Sequence, residues 1–119
     1  VPHFAETHAV ELRSPGGGRL LYGADCRAGE EIVAAALGVD VLVAEATLTK
    51  REDPTVPVAE RGHMSAAEAG EVASVAEVGE LILTHFSDLV DPQRLLEEAA
   101  TAYAGPIRLA AEGMRVTLE

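Results

Sequence analysis

Two short apolar runs, "VDVLVAEATL" and "GELILTH", each finish beside a group that can do chemistry, Glu45 in the first and His85 in the second. Runs of about four to eight apolar residues bounded by turn or helix signals read as buried strands. Helical patterns bound both runs here. "AGEEIVAAALG" puts Ile32, Val33, Ala36 and Leu37 at helical spacing and closes on Gly38 as a C-cap. Ser65, with Glu68 three residues later, forms a capping box that opens the helix "AAEAGEVASVAE". Asp91 and Pro92 open a further helix, "PQRLLEEAATAYAG", as N-cap and first helical residue. Strands separated by helices restrict the chain to a layered α/β unit with helices packed on a sheet.

The flanking segments extend the sheet. "HAVELRS" and "GRLLYGAD" lie on either side of the turn "PGGG" and read as a β-hairpin. "PIRLA" and "MRVTLE" read as short closing strands joined by "AEG". The expected order is β-β-α-β-loop-α-β-α-β-β. The loop at residues 49 to 64 carries two prolines, several charges and a glycine. Loops of that length in a small domain are often functional. No repeat, linker or low-complexity stretch interrupts the chain, so residues 1–119 read as one unit.

Charge narrows the function classes. The chain carries 9 basic and 20 acidic residues, a formal charge of −11. Such a chain repels phosphate backbones and is not a generic nucleic-acid binder. The acids are spread over helical faces, the pattern of a solvated surface. Alanine is the commonest residue and aromatics make up 3%, so the core is built largely from small aliphatic side chains. That buries limited area, and a partner surface would help. No apolar run of about eighteen residues can span a membrane, and no basic, cleavable leader is present. The chain opens abruptly at "VPHFAETHAVEL", without methionine, which reads as a processed or truncated chain. A lone cysteine, Cys26, makes no internal disulfide and fits a reducing, cytoplasmic setting.

Chemistry-bearing residues fall at strand and loop ends, where ligands collect in open α/β sheets. Asp25 follows "LLYGA", Glu45 closes "DVLVAE", His63 ends the long loop and His85 closes "LILT". Each has a plainer alternative. Asp25 is either the N-cap of the next helix or a metal carboxylate. Glu45 needs a partner if buried and could be an ordinary ion-pair member. His63 could cap a helix or line the loop, and His85 could be structural. His3 and His8 would point to opposite faces of a strand, so they do not readily share an ion. Cys26 reads as a packing residue rather than a nucleophile. Asp25 and His85 alone do not close a zinc site, which takes three or more protein ligands.

Several of these stretches together resemble the carboxyl-terminal half of a metallo-β-lactamase-fold hydrolase, in the ribonuclease Z and cyclic-phosphodiesterase-like branch. "GGGRLLYGADC" resembles the family strand that ends in Gly-Asp-Thr, with Asp25 at the metal-bridging aspartate. "DVLVAEATL" resembles the His-Glu-Ala-Thr segment, with Glu45 at the glutamate. "RGHMSAAEAGEVA" resembles the Gly-His loop and the helix behind it, with His63 at the histidine. "LILTHFSD" resembles the last metal motif, with His85 as ligand, and "YAGPIRLAAEGMRVTLE" fits the closing helix-to-strand segment.

The resemblance implies half of an αββα sandwich, a mixed sheet with helices on one face. It implies two zinc ions in the intact protein, with manganese the alternative, held in part by Asp25 and His85. It also implies hydrolysis of a phosphodiester or related ester by a metal-bound hydroxide, with His63 and Glu45 handling the proton of the leaving oxygen. A small phosphodiester, an ester or an RNA end would be the substrate. Three positions depart from the pattern: Ala24 for glycine, Cys26 for threonine and Ala44 for the histidine of His-Glu-Ala-Thr. The family's His-x-His-x-Asp-His cluster does not occur in these residues, so the chain alone is expected to bind metal weakly and to be inactive. Its partner would be the missing amino-terminal half or a second copy in a homodimer. The competing reading is a non-catalytic interaction or dimerisation module whose metal site has degenerated.

Overall fold

A computed structural model describes residues 9–23, 29–47, 64–86 and 90–118. The elements are β1 (Val10–Arg13), β2 (Arg19–Tyr22), α1 (Glu30–Ala36), β3 (Val41–Glu45), α2 (Ala66–Ala76), β4 (Glu80–Thr84), α3 (Pro92–Ala100) and β5 (Ile107–Leu109). They form one five-stranded sheet in the order β1-β2-β3-β4-β5. The hairpin β1–β2 is antiparallel and every later pair is parallel, so the sheet is mixed.

Strand order follows chain order without a reversal. Parallel crossovers share one hand, so crossovers that all step the same way leave their helices on the same face. The helices accordingly pack in a row, α1 on α2 and α2 on α3. Alternation along the strands then divides the sheet in two. Leu21, Leu42, Ala44, Leu81 and Leu83 join the core with Ile32, Val72, Ala73 and Leu95 from the helices. Val10, Leu12, Tyr22 and Val43 project to the opposite face, and the first three are 49%, 55% and 42% exposed.

Helix ends follow their local signals. Ser65 Oγ accepts from the Glu68 amide and Glu68 Oε1 accepts from the Ser65 amide, the expected capping box. Asp91 accepts from Gln93 N at 3.0 Å with Pro92 in the first turn, also as expected. The N-cap of α1 is Gly29, so α1 does not use Asp25 in that role. Gly38 is left-handed (φ 69°), but its amide donates to Ala76 O at the end of α2 rather than back into α1. It therefore ties two helix ends together. Arg19 makes up part of the difference by donating to Leu37 O at 3.1 Å.

Two expected elements differ. The last helix stops at Ala100 instead of running through "TAYAG". Thr101 Oγ1 donates to Glu98 O, and Tyr103 leaves the helical path to bury its ring and donate to Val78 O at 2.8 Å. The closing strand "MRVTLE" does not join the sheet among the described residues. Met114, Val116 and Leu118 keep a strand-like alternation of half-buried positions. However, a turn at Ala111–Met114, with Gly113 at φ 78°, carries the chain away from the β5 edge. Thr117 and Leu118 instead line a cavity of about 430 Å³ with Gly16–Gly18, Asp40 and Val41. No helix among the described residues is long and apolar enough to cross a membrane.

Candidate active site

Neighbouring strands β3 and β4 are parallel, with Glu45 opposite Thr84. Their carboxyl ends therefore finish level, and Ala46 N extends the ladder by donating to Thr84 O at 2.9 Å. β4 ends at Thr84, one residue earlier than the apolar run suggests. His85 turns out of the sheet with φ 55°. Few non-glycine residues adopt that region, and histidine is among those enriched in it. The turn places the imidazole, which is exposed, at the rim rather than in the core.

Glu45 is 1% exposed, a carboxyl group taken almost wholly out of water. Burial on that scale is costly without hydrogen bonds. Thr47, two residues on, supplies one through its Oγ1 to Glu45 Oε2. The same hydroxyl lies 3.1 Å from His85 O and 3.5 Å from His85 Nδ1. Thr47 thus joins the buried carboxyl to the left-handed histidine across the strand pair. A hydroxyl has one proton to give. If it goes to Glu45, the His85 carbonyl lies against the Thr47 lone pairs. If Glu45 carries a proton, the glutamate donates to Thr47 and Thr47 donates to His85 O.

The two other candidates, Asp25 and His63, lie outside the described residues. Gly23 N donates to Val43 O at 2.9 Å, near the carboxyl end of β3. α2 and β4 each measure roughly 16 Å by their rise per residue and are joined by a tight turn at Glu77–Gly79. Ser65 therefore returns to the carboxyl edge. The described chain stops two residues before Asp25 and resumes one residue after His63, at Met64. Ala24 and Cys26 also lie outside. Among the described residues no three His, Cys, Asp or Glu side chains converge as a metal site. His85 offers an imidazole, a donor type that suits a zinc-class ion.

Thr47 escaped the sequence reading as a site residue. Its signal was present: the "EAT" of "VAEATL" puts the hydroxyl on the Glu45 side of the strand by two-residue alternation. Ala44 points to the other side and is 2% exposed, packed among Leu42, Leu83 and the helices.

A model of the beta-lactamase superfamily domain matches residues 3–86. The chain belongs to the beta-lactamase superfamily. It is 38% identical over 104 residues to a ribonuclease Z of Myxococcus xanthus, covering 86% of this chain and 33% of that protein. The metallo-beta-lactamase fold protein YhfI of Bacillus subtilis superposes with a TM-score of 0.82 at 28% identity, over 95% of this chain and 44% of YhfI. The short form of human tRNase Z shares the fold, with a TM-score of 0.58 at 24% identity, over 91% of this chain and 36% of that one. This superfamily chain spans 33–44% of the length of these relatives. The hydrolase family and the mixed α/β architecture with one-sided helices are as the motifs implied.

Proposed function

We propose that this chain is the carboxyl-terminal half of a metal-dependent hydrolase that cleaves a phosphodiester or related ester. The observation that carries this reading is the Glu45–Thr47–His85 cluster at the carboxyl edge of two adjacent parallel strands. Asp25 and His85 would hold the metal ions, zinc or manganese, which when bound supply Lewis-acid activation of water and of the scissile group. Thr47 orients His85 by tying its backbone. Glu45, held out of water on the same tie, backs His63 beside the site. His63 works with Glu45 to deliver a proton to the leaving oxygen. Similarity to ribonuclease Z supports an RNA end or a small phosphodiester as substrate.

The alternative, a degenerate interaction module, leans on Ala24, Cys26 and Ala44. Ala44 weakens it. A histidine at that position would project into the helix-side core, away from Glu45 and Thr47, so its replacement by alanine removes no group from the site's side of the sheet.

The test uses the natural full-length protein. Metal content by mass spectrometry should approach two ions per chain, and bis(p-nitrophenyl) phosphate should be hydrolysed. His85→Asn should lower both. A full-length protein that binds no zinc or manganese and leaves phosphodiesters, lactones and thioesters intact would sink the reading.

A further inference from the structure

Thr47 Oγ1 meets three polar groups at once: Glu45 Oε2, His85 O at 3.1 Å and His85 Nδ1 at 3.5 Å. A backbone carbonyl only accepts, and an ionised carboxylate only accepts. Nδ1 can do either, because a neutral imidazole holds its proton on one nitrogen or the other. Counting protons decides which. Thr47 has one to give and two lone pairs to offer. Both oxygens lie nearer to it than Nδ1 does. The threonine proton therefore goes to Glu45 when that carboxyl is ionised, and to His85 O when it is protonated. Neither case leaves a proton for a bare Nδ1, which would face threonine lone pairs. An Nδ1–H donates to one of those lone pairs in both cases.

We propose that Thr47 selects the ring tautomer of His85: its hydroxyl accepts from Nδ1–H and leaves the lone pair on Nε2. The imidazole is exposed, and an exposed ring left to water interchanges its two neutral forms. A single form held at this rim therefore needs a contact such as this one. The contact to His85 O brings the backbone of the same residue to the same hydroxyl, so carbonyl and ring approach Thr47 together. A metal ion takes the unprotonated nitrogen, and the partner of the other nitrogen fixes which one that is. Thr47 is thus a positioning residue that presets Nε2 as the donor of His85. The step to a metal donor rests on the hydrolase reading; the tautomer itself does not.

The natural full-length protein is prepared with isotope-labelled histidine, stripped of metal by a chelator and held at about pH 8, where an ordinary histidine is neutral. Long-range proton–nitrogen correlation spectra tell a protonated ring nitrogen from a bare one. His85→Asn identifies the His85 signals by their loss. His85 is expected in the Nδ1–H form. Thr47→Val should lose that form, moving the ring to Nε2–H or to an average of the two, and Thr47→Ser should restore it. Serine returns the hydroxyl without the methyl group, so a packing defect would not be rescued. Circular dichroism checks that the variants fold, and the spectrum of the unaltered protein carries the test by itself if Thr47→Val does not. The proposal is overturned if the unaltered protein shows His85 as Nε2–H or as an average, or if a folded Thr47→Val keeps Nδ1–H. Cadmium, an NMR-active stand-in for zinc, is then added. Its coupling should appear at Nε2 of His85, and coupling at Nδ1 also overturns the proposal. A protein that takes up no cadmium counts against the hydrolase reading alone, because the metal-free spectrum has already decided the tautomer.

Discussion

A threonine hydroxyl that touches a buried carboxyl and a strained histidine holds both in place. Thr47→Val keeps the shape and removes the hydroxyl. It should cost about 1 kcal/mol of stability and lower metal affinity or activity of the full-length protein by roughly ten- to a hundredfold. Thr47→Ser should restore most of both, an outcome that a loss of packing alone would not give. Isothermal titration with zinc and urea unfolding separate the two effects. Tyr103 makes a different residue-scale case. Burial, then the nearby Glu80 charge, raises its phenol above the ordinary tyrosine value. The folded state therefore holds that proton more tightly than the unfolded chain. Its contribution is complete below about pH 10 and fades as pH rises through the folded value. Tyr103→Phe strands the Val78 carbonyl, should cost about 1–2 kcal/mol at neutral pH, and should flatten the alkaline fall in stability measured by chemical unfolding. Glu45 and His85 were readable as site candidates because both follow apolar runs. The tie between them was not, because it depends on strand register and on a left-handed turn that neighbouring residues do not announce.

At the scale of elements, the close approach of α2 and α3 rests on Gly70. A Cβ there would collide with the Ala99 backbone carbonyl, which cannot swing aside as a flexible side chain can. Gly70→Ala should force the helices apart and destabilise by about 1–3 kcal/mol, despite the gain in helix propensity, as thermal unfolding would register. Capping residues made helix starts easy to read: Ser65, Glu68, Asp91 and Pro92 all act as their types suggest. Helix and strand ends were harder. Tyr103 leaves the last helix for a long-range carbonyl, and Met114–Leu118 alternates like a strand while a turn directs it elsewhere. Local pattern specifies which face a residue prefers. It does not specify whether a neighbouring strand is there to pair with.

For the whole molecule, the decisive asymmetry is a sheet clothed in helices on one side and bearing Val10, Leu12 and Tyr22 on the other. Left by itself in solution, such a face should seek cover. Produced alone, residues 1–119 should therefore self-associate at micromolar concentration by light scattering, and Leu12→Asp with Tyr22→Asp should shift them towards monomer. The same isolated chain should bind zinc weakly and show no hydrolysis, while the full-length protein should do both. A stable monomer with full metal occupancy would contradict the assignment of a half site.

The monotonic strand order has a consequence for how the unit comes into being. Each strand after the hairpin pairs with the one made just before it, and each helix lies between the two strands it joins. Among the described residues no strand must wait for a distant segment to be synthesised, so loop-closure costs stay modest at every step. The sheet can lengthen strand by strand as the chain leaves the ribosome, with the β1–β2 hairpin as its starting edge.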